Sequence, residues 1–126
     1  MKKKILVVDD NPSIRDLLRL ILEGNGYEVI EAQHGWSAIA QMQGSLPDLV
    51  MADMMMPIMD GERLIRTLRS NSRTACVPIL VLTSNPNTRQ GTSKADAVVG
   101  KPFNRAHLLA TVKSLLGEGD VAAARV

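Results

Sequence analysis

The sequence contains little cysteine and few aromatic residues. Cys76 is the only cysteine among 126 residues, so no disulfide can form within the chain. Tryptophan, tyrosine and phenylalanine occur once each, and lysine and arginine are not concentrated in any block. These absences exclude a small fold held together by disulfides. They also give no reason to expect that the domain binds nucleic acid directly, and the net charge of +2 is too mild to suggest it.

Long apolar runs are also absent. The first apolar run, residues 5–8, follows three lysines and ends at Asp9, so it is too short for the apolar core of a signal peptide. No segment approaches the roughly 20 apolar residues that a membrane-spanning helix needs. We therefore expect a cytoplasmic protein that makes no direct contact with a membrane.

Short apolar runs alternate with segments of helical periodicity, a pattern typical of a parallel sheet covered by helices. With 45% hydrophobic residues, a chain of this length can bury one core without help from a metal. Helices are expected after Asn11, at about residues 36–43 and 61–70, and after Asn104, the two asparagines being candidate N-caps. Strands are expected at residues 5–8, 27–32, 49–52, 79–82 and 97–99. The domain should comprise residues 1–116, followed by a flexible tail at 117–126.

The segment between the fourth and fifth strands breaks this pattern. Residues 84–96 contain no leucine, isoleucine, valine, methionine or aromatic residue, and they are rich in turn-forming residues. A helix there would have no apolar face to bury, and burial of such a face is what mainly stabilises helices in proteins. We therefore predict that the helix of the fourth crossover is short, frayed or missing.

Reactive side chains follow four of the predicted strands at their carboxyl ends. Ligands of open α/β sheets bind at this edge, so these side chains should converge there. Three nearby carboxylates repel one another unless a cation is present, and Mg²⁺ takes carboxylate and phosphate oxygens as ligands. A carboxylate can attack phosphorus while an ammonium group offsets the charge of the phosphoryl oxygens. The residues concerned are Asp9, Asp10, Asp53, Thr83 and Lys101.

The sequence resembles the receiver domains of two-component response regulators, the CheY-like family, over roughly residues 4–116. The resemblance implies a three-layer, doubly wound, flavodoxin-like α/β fold with five parallel strands in the order 2-1-3-4-5. The matching residues are Ile5-Leu6-Val7-Val8-Asp9-Asp10, Pro47-Asp48-Leu49-Val50, Asp53, Met56-Pro57, Met59-Asp60-Gly61, Leu82-Thr83 and Lys101-Pro102-Phe103.

The resemblance also implies how the phosphoryl group would be handled. Asp53 would accept it, and Lys101 would pair with the phosphoryl oxygens or, before phosphorylation, with Asp53. Thr83 would move toward the phosphoryl group and hydrogen-bond to it. The peptide bond between Lys101 and Pro102 is expected to be cis, a geometry that X-Pro bonds adopt at tight functional turns.

A metal site is implied by the same resemblance. Asp10 and Asp53 would ligate Mg²⁺ directly, while Asp9 would act mainly through a metal-bound water. The backbone carbonyl of Met55 would be a further ligand. Mn²⁺ is the alternative ion.

Two features depart from the family pattern. Val98 stands three residues before Lys101, where an aromatic residue commonly swings as the threonine moves, and the stiff rotor of valine cannot make that swing. The interval from Thr83 to Lys101 is also shorter than usual. Two explanations stay open. Either residues 84–96 become ordered on phosphorylation or partner binding, or output uses another face, such as the first or last helix.

The predicted function is a phosphorylation-dependent signalling switch. A sensor histidine kinase or a histidine phosphotransfer protein would donate the phosphoryl group, and an unidentified protein effector would bind the altered domain. No enzymatic activity is expected beyond self-catalysed phosphorylation and dephosphorylation. The alternatives are the receiver part of a larger regulator, including a DNA-binding one, and a module that works without phosphorylation. An aspartate-nucleophile phosphatase is disfavoured because its usual second aspartate would stand where this chain has Met55.

Overall fold

Strands and helices alternate along the chain, as the apolar pattern predicts. The computed structural model describes residues 2–56, 59–85, 92 and 94–118. Across this part of the chain, no helix is both long enough and apolar enough to cross a membrane. The elements are β1 (Lys4–Val8), α1 (Pro12–Glu23), β2 (Glu28–Ala32), α2 (Gly35–Gly44), β3 (Leu49–Asp53), α3 (Gly61–Ser70), β4 (Ile79–Thr83), β5 (Ala97–Gly100) and α4 (Arg105–Leu115).

The five strands form one parallel sheet in the order β2-β1-β3-β4-β5. This confirms the predicted doubly wound, flavodoxin-like order, in which the chain leaves the centre of the sheet in two directions. The register pairs Val8 with Ala52, Asp53 with Leu82, and Thr83 with Gly100. Because all strands run the same way, the residues that follow β1, β3, β4 and β5 lie at one edge of the sheet.

The sheet is buried on both faces, which explains why its central strands read as continuous apolar runs. Every residue of β3 and β4 is buried. Alternate strand residues point to opposite faces. One set, including Leu6, packs with residues of α2 and α3, and the other, including Ile5, packs with residues of α1 and α4. In the described part of the chain, two helices lie on each face of the sheet, which gives three layers.

Side-chain caps fix where the helices begin. The side chain of Asn11 accepts a hydrogen bond from the backbone N–H of Ser13, and Asn104 accepts one from His107, so both predicted N-caps form. α2 begins one residue before the expected position because His34 caps it, accepting a hydrogen bond from Ser37. β2 begins one residue later than expected at its N-terminus, since the N–H of Tyr27 bonds back to α1.

The connection from β4 to β5 is described at residues 84, 85, 92 and 94–96, none of which is helical. Residues 86–91 and 93, on which the prediction of a short or missing helix mainly depends, lie outside the described residues. The end of the connection is anchored by Arg69, whose Nη2 lies 2.6 Å from Oδ2 of Asp96 and whose Nε donates to the carbonyl of Lys94. Four helices, α1–α4, are present in the described part of the chain.

The predicted tail, residues 117–126, lies outside the described residues beyond Glu118, so its flexibility and the domain boundary at residue 116 stay predictions. Just before this point, the hydroxyl of Tyr27 donates a hydrogen bond of 3.0 Å to Oε1 of Glu118. Burial and this neighbouring carboxylate raise the pKa of Tyr27 to about 12.

Two leucines of α1 provide a matched test of the packing. The side chain of Leu18 is fully buried, whereas that of Leu20 is 71% exposed. Leu18→Ala should therefore lower the free energy of unfolding by about 2–5 kcal/mol. Leu20→Ala, with the same change of side chain, should alter it by no more than about 0.5 kcal/mol. Urea unfolding followed by circular dichroism measures both. Equal losses would mean that α1 buries a different face.

Candidate functional site

Three carboxylates meet at the carboxyl edge of the sheet. Asp9 and Asp10 directly follow β1, and Asp53 is the last residue of β3, which pairs with β1. One oxygen of each carboxylate lies within 4.8 Å of the other two. Asp9 and Asp53 are buried, at 1% and 6% exposure, while Asp10 is exposed. The structure thus brings together the three acidic residues that the sequence singled out.

Lys101 supplies a positive charge to this cluster. Its Nζ lies 3.1 Å from Oδ1 of Asp53 and 3.7 Å from Oδ2 of Asp9. The backbone N–H of Lys101 donates to the carbonyl of Thr83, which fixes the residue beside the end of β4, and the peptide bond to Pro102 is cis. Among the described residues, this ammonium group is the one cation paired with the cluster, and it pairs with two of the three carboxylates, so the negative charge is only partly compensated.

Asp9 shows the cost of this crowding most directly. Its Oδ1 accepts a hydrogen bond of 2.9 Å from the N–H of Asn11, but its buried Oδ2 accepts none from the described residues. Burial raises the pKa of Asp9, and the Asp53 charge adds to the effect, whereas the Asn11 N–H and the Lys101 charge oppose it. A buried carboxylate oxygen without a donor, next to two further carboxylates, fits the oxygen-ligand set of a hard divalent cation.

Thr83 and Met55 flank the acidic cluster. Thr83 ends β4, is 7% exposed, and its Oγ1 accepts a hydrogen bond of 3.1 Å from the N–H of Asn85. The N–H of Met55 lies 3.3 Å from Oδ1 of Asp53, while its side chain is 76% exposed. The roles of the Thr83 hydroxyl and the Met55 carbonyl stay predictions. Val98 pairs with Val81 in the edge strand β5, where it is half-buried.

Gly61 allows α3 to begin directly behind Asp53. A Cβ atom at this position would lie 2.9 Å from the carbonyl oxygen of Asp53 and 2.9 Å from Cα of Met54. The N–H of Gly61 also donates to the carbonyl of Met54. The glycine in the Met59-Asp60-Gly61 motif is therefore required by the close approach of two backbone segments.

Sequence reasoning missed Arg15, which also contacts the site. Its Nη1 donates a hydrogen bond of 2.6 Å to the backbone carbonyl of Asp9, and its Nε lies 3.0 Å from Oε1 of Glu31. The only trace in the sequence is an arginine on α1 shortly after the acidic pair. Its contact with the β1–α1 turn is visible only in three dimensions.

The five-stranded sheet with an acidic cluster and a lysine at its carboxyl edge is typical of flavodoxin-like receiver domains. Residues 5–113 match the family of response regulator receiver domains. The chain belongs to this family, which is part of two-component signal transduction.

Relatives of the chain include a transcriptional regulator and two receivers of known structure. The DNA-binding dual master transcriptional regulator RpaA of Synechocystis is 40% identical over 121 residues, which cover 93% of this chain and 50% of RpaA. The chemotaxis protein CheY4 of Vibrio cholerae has a TM-score of 0.85 at 34% identity, covering 91% of this chain and 99% of CheY4. The chain spans about half the length of the curated relatives that it matches.

The second structural relative contains a metal. It is the receiver domain of a sensor histidine kinase from Pseudomonas aeruginosa, with a TM-score of 0.86 at 26% identity, covering 93% of this chain and 99% of that domain. That structure has a magnesium ion coordinated in its active-site cleft.

Replacing Asp9 should stabilise the metal-free protein at neutral pH. Folding raises the pKa of this carboxyl group, so its ionised form is less stable in the folded state than in the unfolded state. Asp9 therefore lowers the free energy of unfolding most at a pH above the raised pKa, where the group is ionised in both states. Asp9→Asn removes that penalty, so Tm in the presence of a chelator should rise at pH 7. The increase should fade as the pH falls toward the ordinary aspartate value. Asp16→Asn, on the exposed side of α1, is the matched control. A lower Tm for Asp9→Asn than for this control would show that the buried charge of Asp9 does not destabilise the folded protein.

Gly61→Ala should displace the backbone behind Asp53. Two backbone atoms stand in the way of the new methyl group, so the free energy of unfolding should fall by about 1–3 kcal/mol. Gly44→Ala is the control, since a Cβ there meets nothing within 4 Å and should be neutral or stabilising by up to about 1 kcal/mol. Thermal unfolding of both variants measures the difference. Similar changes in the free energy of unfolding for both variants would show that the backbone near Gly61 can move aside at little cost.

Proposed function

We propose that this domain accepts a phosphoryl group on Asp53 and thereby acts as a phosphorylation-dependent signalling switch. The observation that supports the proposal best is the 3.1 Å approach of Lys101 Nζ to Oδ1 of Asp53. It places an ammonium group beside a buried carboxylate at the edge of the sheet where ligands of this fold bind. Membership of the response regulator receiver family agrees with this chemistry.

The transfer itself requires little from the protein beyond position and charge. A carboxylate oxygen of Asp53 attacks the phosphorus atom of a donor phosphohistidine. The new oxygen–phosphorus bond forms as the phosphorus–nitrogen bond breaks, and the imidazole leaves with the electron pair. Lys101 offsets the charge of the phosphoryl oxygens on the side where it now faces Asp53. Hydrolysis of the resulting acyl phosphate by water resets the domain, and we propose no other enzymatic activity.

The acidic cluster is the candidate metal site. Asp10, Asp53, the carbonyl of Met55 and, through water, Asp9 would hold Mg²⁺, with Mn²⁺ as the alternative. When bound, the ion would neutralise negative charge on the carboxylates and the phosphoryl oxygens. The magnesium in the related Pseudomonas aeruginosa receiver supports this proposal.

The conformational response is proposed to begin at Thr83. Its hydroxyl now accepts a hydrogen bond from the N–H of Asn85, and turning toward a phosphoryl group on Asp53 would break that bond. The displacement would pass first to the start of the β4–β5 connection. Val98 would not reproduce the aromatic swing common in the family, so output must use the connection itself or another face.

The proposed partners follow from this cycle. A sensor histidine kinase or histidine phosphotransfer protein supplies the phosphoryl group, and a protein effector binds the phosphorylated domain. We propose a cytoplasmic site of action, with no direct contact to nucleic acid or membrane by this domain.

A second candidate is the same switch within a larger, DNA-binding regulator. RpaA is described as DNA-binding, and the similarity covers 50% of its length. Intact-mass measurement of the protein isolated from its native source would decide between the two. A mass equal to that of these 126 residues would rule out the larger regulator, and a substantially greater mass would favour it.

Asp53→Asn should abolish phosphorylation, because an amide lacks the anionic oxygen that attacks phosphorus. The test is incubation with acetyl phosphate and Mg²⁺, followed by intact-mass spectrometry. Asp48→Asn is a matched control, since Asp48 precedes the same strand at the opposite edge of the sheet, where its Oδ2 accepts a hydrogen bond from the N–H of Lys4. The control should be phosphorylated like the wild type. A phosphoryl adduct on the Asp53→Asn variant would refute the assignment.

A further inference from the structure

We infer that Arg15 is a positioning residue that sets the affinity of the acidic site for Mg²⁺. It would do so by holding the backbone of Asp9, with Glu31 as its anchor. The inference rests on the proposed function, because it assumes that Asp9 and Asp10 belong to a metal site.

The guanidinium group of Arg15 joins two elements that frame the site. Nη1 donates to the carbonyl oxygen of Asp9 at 2.6 Å, and Nε donates to Oε1 of Glu31 on β2 at 3.0 Å. The side chain of Arg15 is 12% exposed and that of Glu31 is 23% exposed. The guanidinium group is planar, and its donors point in fixed directions. Its hydrogen bonds are charge-assisted and largely shielded from water, so they hold both partners in a defined geometry.

Arg15 completes the fixation of Asp9. The N–H of Asp9 donates to the carbonyl of Ala32, next to Glu31 on β2. The Oδ1 of Asp9 accepts from the N–H of Asn11. With its carbonyl held by Arg15, the residue is restrained at its amide, its carbonyl and one carboxylate oxygen. Its other oxygen, Oδ2, accepts no hydrogen bond from the described residues and lies 3.7 Å from Nζ of Lys101.

Loss of the Arg15 contact would release one side of the turn that contains both Asp9 and Asp10. The peptide between these residues could then rotate, and both carboxylates would move relative to Asp53. A metal site tolerates such movement poorly, because groups that orient the ligands typically determine about 10–100-fold in affinity or activity.

Charge alone is the competing explanation, and Arg19 provides the control for it. Arg19 lies one turn further along α1 and pairs with the same carboxylate, its Nη2 standing 2.9 Å from Oε2 of Glu31. Its other partner is Glu23 rather than the β1–α1 turn. Arg15 and Arg19 therefore share a helix, a charge and the Glu31 anchor, and they differ in contact with Asp9 and in burial.

The experiment compares Arg15→Gln, Arg15→Lys and Arg19→Gln in the full chain. Calorimetry gives the dissociation constant for Mg²⁺ alone, and acetyl phosphate with varied Mg²⁺ gives the phosphorylation rate. We expect Arg15→Gln to weaken Mg²⁺ binding about 10-fold, at the lower end of the range for such orienting groups. Arg15→Lys should also bind several-fold more weakly, because one ammonium cannot reproduce the fork. Arg19→Gln should change affinity less than about twofold, because the side chain of Arg19 is 42% exposed and pairs with Glu31 and Glu23 instead of the β1–α1 turn.

The Mg²⁺ concentration that gives half of the maximal phosphorylation rate should rise in both Arg15 variants in step with the dissociation constant. It should stay close to the wild-type value in Arg19→Gln, because Arg19 pairs with Glu31 and Glu23. Simple destabilisation would lower Tm without changing the dissociation constant of the folded protein. If Arg15→Gln does not fold, the charge-conserving Arg15→Lys provides the test.

Three results would overturn the inference. Equal dissociation constants for Arg15→Gln and Arg19→Gln would assign the effect to long-range charge. Wild-type affinity in Arg15→Lys would show that the fork is unnecessary. Absence of Mg²⁺ binding by the wild-type protein would show that the acidic cluster is not a Mg²⁺ site. Failure of the proposed function is separate: a wild-type protein that binds Mg²⁺ but is not phosphorylated would refute the role of Asp53, while the dissociation constants would still test Arg15.

Discussion

The repulsion among three carboxylates at one edge of a parallel sheet is the constraint on which the rest of this molecule depends. Two of these groups are buried, and in the part of the chain that the structure describes Lys101 is the one cation paired with them, so their negative charge is only partly compensated. A cation bound next to these carboxylates would stabilise their ionised forms. The same shortage that makes Asp9 costly in the folded state makes the edge receptive to a divalent cation.

The fold holds the carboxylates together despite that cost. β1 and β3 are adjacent, and their buried residues 5–8 and 49–52 pair with one another, so the residues that follow cannot separate without breaking the centre of the sheet. Gly61 brings α3 close behind Asp53, and the cis bond at Pro102 follows directly after Lys101. Arg15 and Glu31 support the opposite side of the cluster. The site is thus built on strand ends and braced from outside, an arrangement that keeps ligands in place before any ligand arrives.

The residues proposed to respond to phosphorylation depart from the family pattern more than the site does. The position where the family commonly has an aromatic rotor is occupied by Val98, half-buried at the edge of the sheet. Thr83 is linked to the N–H of Asn85, and the far end of the same connection is anchored by Arg69 through Asp96 and Lys94. A displacement that starts at Thr83 would therefore act on the β4–β5 connection, whose far end is held by Arg69. This favours a local change in the connection over a rotation of a buried ring.

The sequence by itself predicted the strands and helices and the side chains that meet at the site. Buried strands appear in the sequence as apolar runs, and Asn11 and Asn104 mark the starts of helices. The reactive residues follow strands directly, so local patterns in the sequence are enough to predict all of these features. The strand order came from a family resemblance, because periodicity does not say which strands pair. Only the tertiary structure decided that Lys101 also approaches Asp9, that Oδ2 of Asp9 is buried without a hydrogen-bond donor among the described residues, and that Arg15 reaches the Asp9 carbonyl. These facts depend on distances between segments remote in sequence, and those distances are set by packing across the whole sheet.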